Sequence, residues 1–370
     1  ETLGAGAGAT GAYSAAGFAH LTEGAVAGAI TWNTVAAGTD LTITASPTAA
    51  TTYTLATDTA TDVLNLTLSS AAAIAGGSVT ATAVETVNIT VTDTNTTKHV
   101  DTLTLVDTAL ATLKITGNAG LTLTNTSTTL TSVDASGMTN TAGTSGGFTW
   151  ISGALAAAAT IKGSATGGDT INAAAATAAV TITETAGTNS ITGSSTIAST
   201  LTGGTGADTI LGGAGKDVIV GGGGADVITG GAGADLITVS GTTATIVQAV
   251  GASGTNTSTT IQTAELTSTF DVVKGLVAGE TINLGNADIV TGGLTLAGIN
   301  LAAGANSTAV FASGTYDAAA GTFTFAANGL DSALTYDSTA GGTTTFETII
   351  LVGYHAGSGT TAAAGVLTLG

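Results

Sequence analysis

The sequence predicts an all-β chain, a parallel β-solenoid closed by a C-terminal β-rich cap. Three observations predict it. Short segments that alternate apolar and polar residues recur from Leu41 to Val133, and nine-residue units run in tandem from Gly203 to Thr238. The apolar content is aliphatic: hydrophobic residues are 43% of the 370 but aromatic residues only 4%, with 55 glycines and one proline, a composition suited to thin, repetitive cores.

The alternating segments are LTIT from residue 41, YTLAT from 53, VLNLTLS from 63, VETVNITVTD from 84, DTLTLVD from 101, LKITGNAG from 113 and LTLTN from 121. A period of two places Val87, Ile89 and Val91 on one face and Thr86, Asn88 and Thr90 on the other, the pattern of a half-buried strand. Their spacing, roughly 8–20 residues, matches stacked solenoid coils or a sandwich. The alanine-rich stretches AAAIAGG from 71 and ISGALAAAATI from 151 have helix-forming composition, but between strands of this kind they read as tight turns.

From 161 to 191 the pattern loosens, with Asp169 and Asn189 standing where a repeat aspartate is expected. Residues 203–238 then read GGTGADTIL, GGAGKDVIV, GGGGADVIT and GGAGADLIT, four consecutive nine-residue units without an insertion. Beyond Thr238 come TATIVQAV, FDVVKGL, GTFTFAANG, SALTYDS and FETIILVG, read as a cap. The expected organisation is a solenoid over 1–160, degenerate then regular repeats over 161–240, and a cap over 241–370.

Each unit fits GGxGxDxUx, with U a large aliphatic residue. Ile210, Ile219, Ile228 and Ile237 fill that place, and Asp208, Asp217, Asp226 and Asp235 fill the acidic one. The glycines are Gly203, Gly204, Gly206, Gly212, Gly213, Gly215, Gly221, Gly222, Gly224, Gly230, Gly231 and Gly233. The six residues GGxGxD must turn sharply, which glycine does without steric cost, and the last three form a short strand with its aliphatic residue inward. Two units make a coil of 18 residues, so Asp208 stacks near Asp226 and Asp217 near Asp235. Calcium takes six to eight oxygens, and two carboxylates with backbone carbonyls of the turns complete such a cage. Without the cation the stacked carboxylates repel and the glycine-rich turns have much entropy to lose, so folding here is expected to be metal-coupled.

The charge balance agrees. Net charge is −19, the five basic residues are all lysines (Lys98, Lys114, Lys162, Lys216, Lys274), and no arginine occurs. Such a surface cannot displace the counterions of a nucleic acid and is repelled by anionic membranes, whereas divalent cations are its natural counter-charge. With no cysteine, a disulfide scaffold is excluded. No apolar run is long enough for a transmembrane helix. The chain begins at Glu1 without methionine, which suggests that residue 1 is not the start of the gene product.

At the nonapeptides the sequence resembles the RTX family exported by the type I secretion machinery. Beyond them, VLNLTLSS, VETVNITVTDTNTTKHVDTLTL and TGNAGLTLTNT over 63–124, and the tail YDSTAGGTTTFETIILVG, resemble the C-terminal part of Caulobacter-type RTX surface-layer proteins. The resemblance implies a secreted, calcium-dependent, two-dimensional lattice on the cell surface, a homo-oligomer exported by an uncleaved C-terminal signal. An N-terminal region absent from this sequence would hold it to the cell, with cell-surface polysaccharide as its partner. It also implies further calcium ions at acidic loops, for which Asp93, Asp101, Asp107 and Asp134 are candidates by position.

Other motifs lead elsewhere and are weaker. GTSGG at 143–147 has the spacing of a hydrolase nucleophile turn, but His20, His99 and His355 bring no supporting context. GAGAGATG near the start lacks the strand and helix that would present a phosphate loop. No HExxH is present, which argues against a zinc protease within these residues. Thr-x-Thr strands have the spacing of an ice-binding ladder but read as ordinary outward-facing threonines. Trp32 and Trp150 read as core or interface residues. The expected function is non-enzymatic: calcium-dependent self-assembly outside the cell. The alternatives are an RTX adhesin or filament stalk and the secretion module of a larger RTX enzyme.

Overall fold

The computed structural model describes residues 1–95, 98–139, 147–241, 243–248, 266–267, 270–284, 310–320, 322–326, 329–337, 346–354, 361–363 and 366–369. The chain divides into two compact units, Glu1–Ser195 and Thr196–Gly370. The described residues are all-β and form a parallel β-solenoid; none of their segments is a helix long and apolar enough to cross a membrane.

In the first unit one sheet contains Thr2–Ala5, His20–Glu23, Asp40–Ile43, Val63–Ser70, Thr86–Asp93, Thr112–Gly117, Ser132–Met138, Ala159–Lys162 and Val180–Thr183. The other contains Gly11–Ser14, Ile30–Val35, Thr51–Leu55, Ala75–Ala81, Val100–Val106, Gly120–Asn125, Phe148–Ile151, Thr170–Asn172 and Ser190–Thr192. Successive strands alternate between sheets, and each pairs in parallel with the next of its own sheet. The alanine-rich stretches form turns and short strands, because alanines with no helical apolar stripe have nothing to bury as a helix.

The period-two reading sets the core. Leu64, Leu66 and Leu68 stand over Val87, Ile89 and Val91, and Val87 and Ile89 over Leu113 and Ile115, all at most 1% exposed. Each such side chain contributes about 1.5–3 kcal/mol by leaving water. Threonines occupy the outward positions in the same register, Thr67 beside Thr90 and Thr90 beside Thr116. Trp32 and Trp150 are fully buried, as read from the sequence. The phosphate-loop candidate near the start is a turn between two strands.

One interior group goes against the apolar pattern. Glu23 is fully buried, accepting hydrogen bonds from Trp32 Nε1 at 2.5 Å and Thr51 Oγ1 at 2.7 Å. Burial raises its pKa above the ordinary 4.5, outweighing the two donors. A carboxyl raised in this way favours folding below its unfolded pKa, and that contribution is lost as pH rises through the folded value. Glu23→Gln keeps both partners and removes the charge. The variant is expected to melt higher than the parent at neutral pH, with the difference vanishing in acid; thermal melts check this, and equal melting at neutral pH contradicts it.

In the second unit, Thr200–Thr205, Val218–Gly223, Leu236–Thr238 and Asp271–Lys274 stack in parallel in one sheet. Thr209–Ala214, Val227–Ala232, Thr245–Val247 and Thr281–Asn283 do so in the other. The parallel stack thus runs past residue 240, where the sequence suggested that it gives way to the cap, because the later strands return in the register of the repeats. Phe346–Val352 pairs in parallel with Asp271–Lys274 and antiparallel with Asp331–Asp337. Val310–Asp317 and Thr322–Phe325 follow, also antiparallel. In the other sheet Val366–Thr368 runs antiparallel to Thr281–Asn283. Reversing strand direction ends the repeat and covers edges that would otherwise template further strands. The cap uses aromatic residues: Phe270 and Phe323 pack with Val272, Ala333 and Ile350, and Tyr316 meets Phe270 edge-on at 6.2 Å.

Candidate metal centre

The site is built from the strand inward. Ile210 pairs with Ile228 and Ile219 with Ile237, all at most 1% exposed, so each unit is anchored by its aliphatic residue. An aspartate two residues earlier has the same parity, and therefore points inward where the turn meets the strand. Asp208, Asp217, Asp226 and Asp235 are all at most 1% exposed.

Along each side of the stack one carboxylate oxygen holds the neighbouring coil. The Asp208 amide donates to Asp226 Oδ1 at 3.0 Å and the Asp217 amide to Asp235 Oδ1 at 2.8 Å. The Ser199 amide donates to Asp217 Oδ1 in the same way. The peptide carbonyls complete the ladder, Asp208 accepting from the Val227 amide at 2.7 Å and Asp217 from the Leu236 amide at 2.8 Å. The stacking of Asp208 with Asp226 and of Asp217 with Asp235 is therefore present.

The second oxygen has a different fate. Oδ2 of Asp217, Asp226 and Asp235 is buried without a hydrogen-bond partner. Leaving such an atom unpaired costs about 1–3 kcal/mol, more for a charged group. Burial pushes Asp217 up to about 7 and Asp235 up to about 6, and the charge of Asp235 adds to the shift at Asp217. Burial also raises Asp226. Buried, stacked, acceptor-only oxygens with raised pKa values call for a cation. The donor set is hard oxygen, matching calcium rather than a thiolate- or imidazole-seeking metal.

The glycines serve two purposes. The second and fourth of each unit have left-handed backbones, as at Gly222 with φ +101° and Gly224 with φ +138°, which side chains rarely adopt. The first glycine does not. Instead, a methyl group on Gly203, Gly212 or Gly221 would stand 2.5 Å from Oδ2 of Asp208, Asp217 or Asp226, so this glycine clears the space in which the carboxylate lies. The third position is free: a methyl group on Gly223 would touch nothing, and threonine or alanine stands there in the other units.

Asp169 and Asn189 retain the ladder without the open oxygen. Phe148 donates its amide to Asp169 Oδ1 at 2.6 Å, Ser164 Oγ donates to the same oxygen at 2.8 Å, and the Ser164 amide takes Oδ2. The Asp169 amide donates to Asn189 Oδ1 at 2.9 Å. Hydrogen bonds here do the work that a cation would do.

The acidic-loop candidates are engaged separately. Asp93 accepts from the Asn95 amide and from the amide and ring of His99, each at 2.7 Å. Asp101 accepts from the Ile74 amide at 2.7 Å, Asp107 from the Ala109 amide at 2.9 Å, and Asp134 from Ser136. Among the described residues no three histidine or acidic side chains converge on one point. Residues 143–146 of the GTSGG motif and His355 lie outside the described residues, as does 338–345 of the tail.

Sequence reasoning missed Ser199, Gln248, Asp271 and Glu280. The Asp235 amide donates to Asp271 Oδ1 at 2.8 Å, prolonging the ladder. Glu280 is fully buried and nine residues further on, in the acidic position of the unit GLVAGETIN. The signal was available in the phase: Asp271 follows Asp235 by 36 residues, four unit lengths.

Comparison with known proteins agrees with this geometry. The model of the RTX calcium-binding nonapeptide repeat, of the hemolysin type, matches residues 201–237 in four copies. No curated protein matches the chain. The repeats are calcium-binding, and proteins that carry them are typically secreted, extracellular and associated with type I secretion.

Proposed function

We propose that this chain is a calcium-folded structural subunit that self-assembles outside the cell, as in a surface layer, and that it is not an enzyme. The observation that carries the reading is the ladder of buried aspartates, in which Oδ2 of Asp217, Asp226 and Asp235 has no hydrogen-bond partner. In it calcium is held between Asp208 and Asp226 and between Asp217 and Asp235, with carbonyls of the glycines at the three fixed motif positions completing the shell. The cation replaces repulsion by attraction, so the turns order only where calcium is abundant. A cell that keeps cytosolic calcium low would thus export the chain unfolded, and the repeats would fold outside. Residues 1–160 act in lattice contacts, 161–240 as the calcium-stapled segment, and the part beyond 240, after the last parallel strands of the stack, carries the cap and the uncleaved secretion signal.

A repetitive outward row supports the assembly part. Thr22, Thr42, Thr67, Thr90 and Thr116 follow one another across successive strands of one sheet. Such rows can meet a second copy in register with little side-chain entropy lost. Sedimentation velocity with added calcium tests the proposal. Large ordered particles that dissolve on chelation are expected; a calcium-folded monomer at all concentrations overturns self-assembly and favours a stalk or secretion module.

A further inference from the structure

The carboxylate ladder does not stop at the last unit of the matched repeats. The bond from the Asp235 amide to Asp271 Oδ1, 2.8 Å, repeats the bond from the Asp217 amide to Asp235 Oδ1, also 2.8 Å. Leu236 pairs with Val272 and Ile237 with Val273, so Asp271 occupies the acidic position of the next coil. It is fully buried.

A second observation points to the same place. Thr229 pairs with Val247, which puts Gln248 one coil beyond Gly230, the glycine over which Asp235 Oδ2 is lodged. Gln248 therefore takes the first-glycine position of the unit whose acidic residue is Asp271. Its parity with buried Ile246 turns it inward, and it is 2% exposed. Neither its Oε1 nor its Nε2 has a hydrogen-bond partner, and Asp235 Oδ2 has none either. On the opposite side of this coil the acidic position is Ala244.

We propose that Asp235, Asp271 and the Gln248 side-chain oxygen form a further calcium site, built across the long insertion between the last matched unit and the cap. Two carboxylates and one amide oxygen are hard donors of the kind calcium accepts, and turn carbonyls and water fill the remaining positions. The site fastens the returning strand Asp271–Lys274, on which the cap is laid, to the repeats. The inference rests on the reading that the repeats hold calcium.

The test uses the full chain and calcium alone, with bound metal counted by equilibrium dialysis and folding followed by circular dichroism. Asp271→Asn keeps an acceptor for the Asp235 amide and removes the charge. It should bind one calcium fewer per chain than the parent while keeping the parental spectrum at saturating calcium. Gln248→Leu should weaken the last site by roughly tenfold, the scale on which lost supporting ligands act. Should Asp271→Asn fail to fold, Gln248→Leu decides. Parental number and affinity in every variant that folds overturn this site alone, whereas a parent that binds no calcium overturns the reading beneath it.

Discussion

Replacing Asp208, Asp217, Asp226 and Asp235 together by asparagine is expected to leave residues 201–237 unfolded at every calcium concentration. Asparagine preserves the shape and one acceptor, so the amides of Asp208 and Asp217 could still find a partner on the next coil. What is lost is the negative oxygen that holds the metal. A site that binds only the folded chain stabilises it by about 2.7 kcal/mol when free calcium exceeds Kd a hundredfold. Several such sites together match the whole stability of an ordinary domain, about 5–15 kcal/mol. Circular dichroism during a calcium titration checks this. The parent should gain β-signal as calcium rises and the variant should lack that gain; equal titrations would contradict the role given to these aspartates.

The second large effect is expected from one methyl group. Gly222 has φ +101°, and a Cβ there would strike the Gly204 carbonyl of the adjoining coil. The left-handed backbone alone costs an alanine about 1–2 kcal/mol. The contact is with backbone, which yields only if the coils separate. Gly222→Ala should therefore lower the thermal midpoint of the calcium-loaded chain sharply and raise the calcium needed for folding. The next residue is the control. Gly223 has open space around its Cα, so Gly223→Ala should lie within about 0.5 kcal/mol of the parent, as is usual for surface changes. Similar effects from the two substitutions would contradict the turn geometry.

Much of this fold could be read from the sequence because a coil is a local object. A strand such as 86–93 declares its faces by alternation, and GGxGxD declares its turn because few residues reach that backbone. The ladder could be read as well, since 18 residues per coil fix which aspartates meet. Other features depend on contacts that no local pattern encodes. Asp169 looks like a worn repeat residue, but Ser164 and Phe148 satisfy both its oxygens. The first glycine of a unit looks like a conformational requirement and is a spatial one. Asp271 and Glu280 were hidden because the insertion interrupts the motif while preserving its phase of nine. The direction of the cap strands and the buried Glu23 likewise depend on partners distant in the chain.

The most direct measurement is hydrogen–deuterium exchange, resolved by segment, with calcium and with a chelator. With calcium, the strand amides of 209–214, 218–223 and 227–232 should exchange slowly. With chelator they should exchange as in a free chain, while 64–70, 87–93 and 113–117, whose aliphatic core needs no metal, keep their protection. Equal protection of 209–232 in the two conditions would contradict the claim that calcium holds these coils together.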